Sequence, residues 1–385
     1  MGWALAVFSV SAAFMVWWLH WFDLVDLEVY RAGASAFVHG HDVYLSHPRG
    51  SPLPFTYPPF AALVFVPLAV IPDLAAKIGL SVLSAGGLLL AAAGLLRLAG
   101  PRWPVRKVWT VALLVAAATP LVEPLRDTLR LGQVNLVLMA LVLADLAPAG
   151  GRSPRFRGAR IGIATAIKLT PGIFILYLLV TRRTREAVTA AGAAATATLL
   201  AAVVMPAESA HYWRHLVFDD SRIGSPGSVW NQSVRGALAR ITGSPDGAHL
   251  AWLVAVVAVL AACLLLAVRL HQSGDELTGL GVAALAGLLV SPISWNHHWV
   301  WALPLAMALG HRAAVTRRPL DLALAGGWIA TFCVASMSWW SFAGRNDYHL
   351  GLGFNVAADC YILAALLAVA FVGLRSRAHL VSGAS

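Results

Sequence analysis

Residues 22–60 read FDLVDLEVYRAGASAFVHGHDVYLSHPRGSPLPFTYPPF. Between Asp23 and Tyr57 lie three aspartates, one glutamate, three histidines and two arginines, directly after the first apolar run of the chain. Polarity of that density beside a lipid-embedded helix is costly unless it is used. The stretch therefore marks 21–57 as the first external loop and as one wall of an active site at the membrane surface. Asp26 is its leading catalytic candidate.

Composition sets the class around that loop. Hydrophobic residues make up 59% of the 385 and charged residues 12%, with a mean hydropathy of +0.73. Soluble domains carry about 25% charged residues, so this is a polytopic membrane protein. The net charge of +10 invites a nucleic-acid reading, because basic patches neutralise phosphates. Its arginines and lysine instead fall in short clusters between apolar runs: Arg102, Arg106 and Lys107; Arg152, Arg155, Arg157 and Arg160; Arg182, Arg183 and Arg185; Arg312, Arg317 and Arg318. That is the positive-inside pattern that orients helices in a bilayer, and no nucleic-acid partner is expected. Cys263, Cys333 and Cys360 sit within apolar stretches, at spacings that indicate neither a disulfide framework nor a zinc site. No small-residue cleavage site follows residues 3–20, which read as a retained span.

A span needs about 20 apolar residues. Candidates are 3–20, 77–97, 108–122, 133–149, 187–205, 250–268, 276–292, 298–310, 319–341 and 355–374. Residues 58–72 are short and marked by prolines, and 161–181 are interrupted by Lys168, Pro171 and Gly172. With every arginine cluster cytoplasmic, neither is a simple crossing; broken or re-entrant helices are tolerated where they line a cavity. The expected fold is all-α, a single integral membrane domain over 1–385 with about ten to twelve membrane helices and both termini cytoplasmic. On this orientation 21–57, the turn 123–132, the long segment 207–249, the SWNHH turn and 343–354 share the external face, which argues for one site there. The longest of these is about 40 residues, too short for a core of its own.

The polar motifs each carry two readings. Asp26, in Asp26-Leu27-Glu28-Val29-Tyr30-Arg31, is either a helix N-cap or a general base; Asp23 shares its face on a helix, and local chemistry does not choose between them. Pro54-Phe55-Thr56-Tyr57-Pro58-Pro59-Phe60 is a rigid, extended lead into the next helix, or an interfacial aromatic anchor. In Arg126-Asp127-Thr128-Leu129-Arg130-Leu131-Gly132-Gln133-Val134-Asn135, the amides of Gln133 and Asn135 stand at the head of a membrane helix. They are costly there unless bonded, so they either cap it or bind a polar ligand. Lys168 within a span is a functional candidate, or a snorkelling side chain. Trp230-Asn231-Gln232-Ser233 matches a glycosylation sequon, a weak signal. In Ser291-Pro292-Ile293-Ser294-Trp295-Asn296-His297-His298-Trp299, the histidines can serve as acid or base. Adjacent on a helix, they diverge by roughly 100° and do not share one metal; no carboxylate or cysteine stands at zinc spacing.

DLEVYRAGA, DVY, PFTYPPFAALVF, LGQVNLVL, AIKLTPGIF, NQSVRGALAR and SPISWNHHWVW occur in that order between residues 26 and 301. The ordered set resembles the actinobacterial polyprenol-phosphate-mannose-dependent alpha-(1→2)-mannosyltransferases, a family within the GT-C glycosyltransferases. The segment before PFTYPP is shorter here than is common among them. The resemblance implies a multi-pass plasma-membrane enzyme with an extracytoplasmic site, a lipid-linked sugar donor and a glycolipid acceptor, a phosphatidylinositol mannoside or lipomannan or lipoarabinomannan. It points to Asp26 rather than Asp23 as the base and to His297 and His298 as further site residues. A beta-linked donor and an alpha product imply inversion, with the base opposite the leaving phosphate. Arg126, Arg130, Lys168 and Arg235, with the histidines, are candidates for the phosphate. Tyr30, Tyr57, Gln133, Asn135, Asn231, Gln232 and Trp295 are candidates for substrate contact, and Trp295 and Trp299 for stacking on sugar rings. No metal or other cofactor is expected. An arabinofuranosyltransferase using decaprenyl-phosphate-arabinose is the alternative enzyme. A lipid-sugar transporter is the alternative from another class, disfavoured by the lack of internal repeats and by polarity on one face.

Overall fold

In lipid every backbone amide needs an internal partner, which leaves helices or closed barrels. The computed structural model is helical, and it describes residues 1–19, 21–22, 24–100, 103–147, 156–244, 249–339 and 351–382. Asp23, Arg102, Arg152, Arg155 and residues 343–350 of the expected external segment lie outside the described residues. Among the described residues no strand forms, and one isolated antiparallel bridge joins Asn231 to Trp295. The chain divides into two compact units, 1–121 with 125–179 and 183–223, and 122–124 with 180–182 and 224–385.

The first unit contains α1 (Gly2–Leu19), α2 (Val25–Val38), α3 (Pro59–Val70), α4 (Asp73–Ala99), α5 (Val105–Ala117), most of α6 (Glu123–Leu131), α7 (Asn135–Leu146), α8 (Ala159–Ile167), α9 (Ile173–Val180), α10 (Thr184–Val204) and α11 (Pro206–Arg214). Helix α4 packs on α5 and α7, α2 on α3, and α8 on α7 and α10. Close approach of α8 to α10 depends on Gly162, where a Cβ would collide with the Ala190 carbonyl. The break expected in 161–181 is present: α8 stops at Ile167, and a 3-10 turn over Thr170–Gly172 precedes α9. Two expectations are corrected. The segment 21–57 is not a loop throughout, because α2 occupies 25–38 and buries Leu27, Tyr30 and Ala34 on one side. The turn 123–132 is largely the nine-residue helix α6.

The second unit contains α12 (Val234–Thr242), α13 (His249–Gln272), α14 (Glu276–Val290), α15 (Leu303–Thr316), α16 (Pro319–Val334), α17 (Leu352–Ala358) and α18 (Cys360–Ser382). Helix α13 packs on α14, α14 on α15, and α15 on α16. Asp321 of α16 accepts from Arg312 at 3.1 Å, from Thr316 at 2.7 Å and from Arg375, tying three helices together at one end.

Among the described residues, four helices are long and apolar enough to cross a membrane: Asp73–Ala99, Thr184–Val204, His249–Gln272 and Pro319–Trp339. A pair bent by 77°, Val105–Leu121 with Glu123–Leu131, makes a fifth candidate. Shorter apolar helices accompany them, including Gly2–Trp18, Asn135–Leu146 and Glu276–Val290. The chain is a multi-pass, all-α membrane protein.

Candidate active site

In the first unit the polar motifs meet. Asp26 is the second residue of α2, but it does not cap it: the N-cap is Leu24, in a left-handed conformation and with no side-chain bond to the helix. The Asp26 carboxylate instead accepts from Gln133 Nε2 through Oδ2, at 2.8 Å. Gln133 Oε1 in turn accepts from Tyr30 Oη at 2.8 Å, Tyr57 Oη at 3.1 Å and Lys168 Nζ at 3.3 Å. Lys168 also donates to Asn135 Oδ1 at 2.8 Å. Six residues chosen from four separate motifs thus form one network.

Local sequence explains how they reach one another. The break after α8 leaves Lys168 extended, at φ −148° and ψ 130°, instead of continuing the helix. Pro58 holds Tyr57 ahead of α3, and Tyr57 meets Tyr30 edge to face with ring centroids 5.1 Å apart. Tyr30 stacks on Phe65 of α3 at 4.3 Å. Gly132 makes the turn before Gln133 with φ +69°, where a Cβ would lie 3.0 Å from the Cβ atoms of Leu24 and Leu27. Only glycine combines that conformation with that approach, and the turn brings Gln133 against the start of α2.

The electrostatics suit a base. Helix α2 is not one of the apolar membrane candidates. Burial pushes the Asp26 carboxyl up to about 6, while the Gln133 bond and the Lys168 and Arg130 charges restrain the rise. A carboxylate in that range is ionised at neutral pH and is more basic than an exposed one. Arg130 forms a two-pronged pair with Asp127, at 2.8 and 3.2 Å. Arg126 is not in the network; it donates to the Pro120 carbonyl at 3.3 Å.

The second unit joins two other motifs. Gln232 N donates to Ser294 O at 2.8 Å, and Asn296 N to Trp230 O at 3.0 Å, which lays the NQS and SWN segments side by side. The side chain of Asn231 is fully buried. Its Nδ2 donates to the carbonyls of Pro226 and Pro292, and its Oδ1 accepts from Ser294 N. That burial excludes the sequon reading. Gln232, equally buried, donates to Val229 O and Ala358 O and accepts from Tyr361 N. These two amides hold backbone. His297 and His298 are buried and stand in a 3-10 helix, Asn296–Ala302, rather than at the start of an α-helix. Their rings are perpendicular, with centroids 4.7 Å apart. Trp295 is half-buried. Trp299 is 1% exposed and packs near Tyr361 and Phe332, so it belongs to the core and not to a sugar platform. Arg235 lies over the Trp252 ring at 5.1 Å.

Two buried ionic features escape sequence reasoning. Glu123 is 2% exposed and accepts from Tyr361 Oη at 2.6 Å and from Asn296. Arg240 pairs with Asp359, both buried, and donates to Ser228 O at 2.6 Å and Asn231 O at 3.2 Å. The one available signal is the scarcity of charge in an apolar chain. Among the described residues, no three His, Cys, Asp or Glu side chains are placed to hold a metal ion.

No solved structure matches the chain. A polyprenol-phosphate-mannose-dependent alpha-(1-2)-phosphatidylinositol mannoside mannosyltransferase of Mycobacterium tuberculosis is 38% identical over 80% of this chain and 75% of its own length. Its namesake in Mycolicibacterium smegmatis is 33% identical over 97% and 90%. A phosphatidylinositol pentamannoside mannosyltransferase of M. smegmatis is 35% identical over 91% and 85%. Residues 55–292 match the model of glycosyltransferase family 87. The chain belongs to glycosyltransferase family 87 and is a membrane-embedded glycosyltransferase.

Proposed function

We propose that the enzyme transfers mannose from polyprenol-phosphate-mannose to a phosphatidylinositol mannoside, forming an alpha-(1→2) linkage with inversion. The relatives bear that activity in their names, and they favour mannose over arabinofuranose. The observation that carries the mechanism is the half-buried Asp26 carboxylate, held by Gln133 at 2.8 Å within the network of Tyr30, Tyr57 and Lys168. Asp26 removes the proton from the acceptor 2-hydroxyl as its oxygen attacks the anomeric carbon. The bond from that carbon to the phosphate oxygen breaks, and polyprenyl phosphate leaves with the electron pair. Lys168 and Arg130 supply positive charge for the phosphate.

The arginine clusters support an extracytoplasmic location of the network. Gln133 and Asn135 stand at the N-terminal end of α7. At its other end, Arg157 donates to the Asp145 and Leu146 carbonyls and Arg160 pairs with Asp145 at 3.1 Å. Twelve helical residues separate the two ends by about 18 Å. Arginines are favoured on the cytoplasmic side, which supports an outward-facing Asp26 network.

The test uses the purified protein with labelled polyprenol-phosphate-mannose and a phosphatidylinositol mannoside acceptor, the product linkage being read by NMR. An alpha-(1→2)-mannosylated product is expected. No transfer of mannose, with transfer from decaprenyl-phosphate-arabinose instead, would remove the reading.

A further inference from the structure

We propose that Gln133 is a positioning residue for the base: its amide, locked in one direction by Tyr30, Tyr57 and Lys168, grips Oδ2 of Asp26 and leaves Oδ1 to receive the acceptor proton. This rests on the reading of Asp26 as the base, and it changes the role expected of Gln133 from substrate contact to control of that carboxylate.

A glutamine amide can turn over at little cost unless its neighbours forbid it. Here they do. The Lys168 ammonium has donors only, and it lies 3.3 Å from Oε1. Reversing the amide would set NH2 against that ammonium and turn its oxygen toward the Asp26 carboxylate. The tyrosines add to the lock. Tyr30 Oη, Tyr57 Oη and Gln133 Oε1 form a triangle with sides of 2.8, 2.9 and 3.1 Å. Two hydroxyl protons serve its three sides, so the carbonyl oxygen is held by donors from α2, from the segment before α3 and from the residue after α8. Donors on a carbonyl polarise the amide and strengthen the N–H on its other side. That N–H meets Asp26 Oδ2 at 2.8 Å, and among the described residues Gln133 is the hydrogen-bond partner of this carboxylate.

The surrounding charges are accounted for. Asp26 is faced by Lys168 from beyond α8, by Arg130 and Asp127 from α6, by Tyr57 before α3, and by Tyr30 on its own helix. The hydrogen bond from Gln133 favours the ionised carboxylate. Its loss lets the proton stay on to a higher pH. A substrate-binding glutamine would not have that effect.

The experiment is the pH dependence of kcat and KM for mannosyl transfer by purified Gln133→Met and Tyr57→Phe proteins beside the parent. Methionine keeps length and removes both polar ends. We expect kcat of Gln133→Met near neutral pH to fall about tenfold, with donor KM changed by no more than roughly twofold. Its acid limb should move up by about one pH unit. Tyr57→Phe removes one of the locking donors and should move the limb in the same direction by less. If Gln133→Met does not fold, Tyr57→Phe and Tyr30→Phe carry the test. A limb that stays in place with only yield reduced makes Gln133 structural and overturns the proposal. A raised KM with an unmoved limb makes it a substrate contact and overturns it equally. Asp26→Asn separates the two layers. If that variant is active, the base reading fails; if it is inactive while the limb of Gln133→Met is unmoved, this inference alone fails.

Discussion

The Asp26 network of the first unit and the NQS–SWN pair of the second use the same kinds of residue differently. Around Asp26, amides, tyrosines and a lysine bond to other side chains, and they converge on one half-buried carboxylate. In the second unit Asn231 and Gln232 bond to backbone carbonyls and amides and are fully buried. Polar side chains that satisfy backbone hold a loop in shape. Polar side chains that converge on a carboxylate set its position and its basicity. A motif is therefore assigned by what its side chains bond to, and not by its polarity.

The contrast can be broken at several points. Replacing Asp26 by asparagine keeps its shape and removes its basicity. Turnover should fall about 10²–10⁴-fold, with no loss of thermal stability, because burying a neutral amide costs less than burying a charge. Loss of folding with retained specific activity would make Asp26 part of the frame. In the second unit the expected pattern is opposite. Asp359→Asn leaves Arg240 buried without its carboxylate and should destabilise by about 3–5 kcal/mol, read as a lower melting temperature and yield. The protein that survives should keep the parental acid limb. Asn231→Ala strips hydrogen bonds from buried backbone and should cost about 1–3 kcal/mol, again with the limb unmoved. A moved limb in either variant would draw the second unit into control of the base.

Much of the fold is legible in the sequence. Composition and arginine clustering gave an all-α membrane protein, and Lys168-Leu169-Thr170-Pro171-Gly172 marked a real break in helix. Six of the expected site residues form one network. What failed was local or long-range in recognisable ways. Helix α2 entered only through one of the two readings of Asp26, as a helix cap, because the density of charge between Asp23 and Tyr57 obscured the apolar spacing of Leu27, Tyr30 and Ala34. The alternatives left open for Gln133, capping a helix or binding a ligand, omitted a third: bonding to a carboxylate 107 positions away. Glu123 with Tyr361 and Arg240 with Asp359 are separated by 238 and 119 positions. Sequence spacing exposes partners three or four residues apart on a helix, and it is silent on pairs made by tertiary packing.

The most direct test of the central claim is the acid limb of kcat/KM for mannosyl transfer by the parent enzyme. The base works only when ionised, so activity should be full above about pH 7 and fall as pH drops through about 6, the value to which burial raises Asp26. The fall should follow one proton. A rate that stays flat down to about pH 5 and drops only near 4, where an exposed aspartate titrates, would contradict a half-buried, Gln133-held Asp26 as the base.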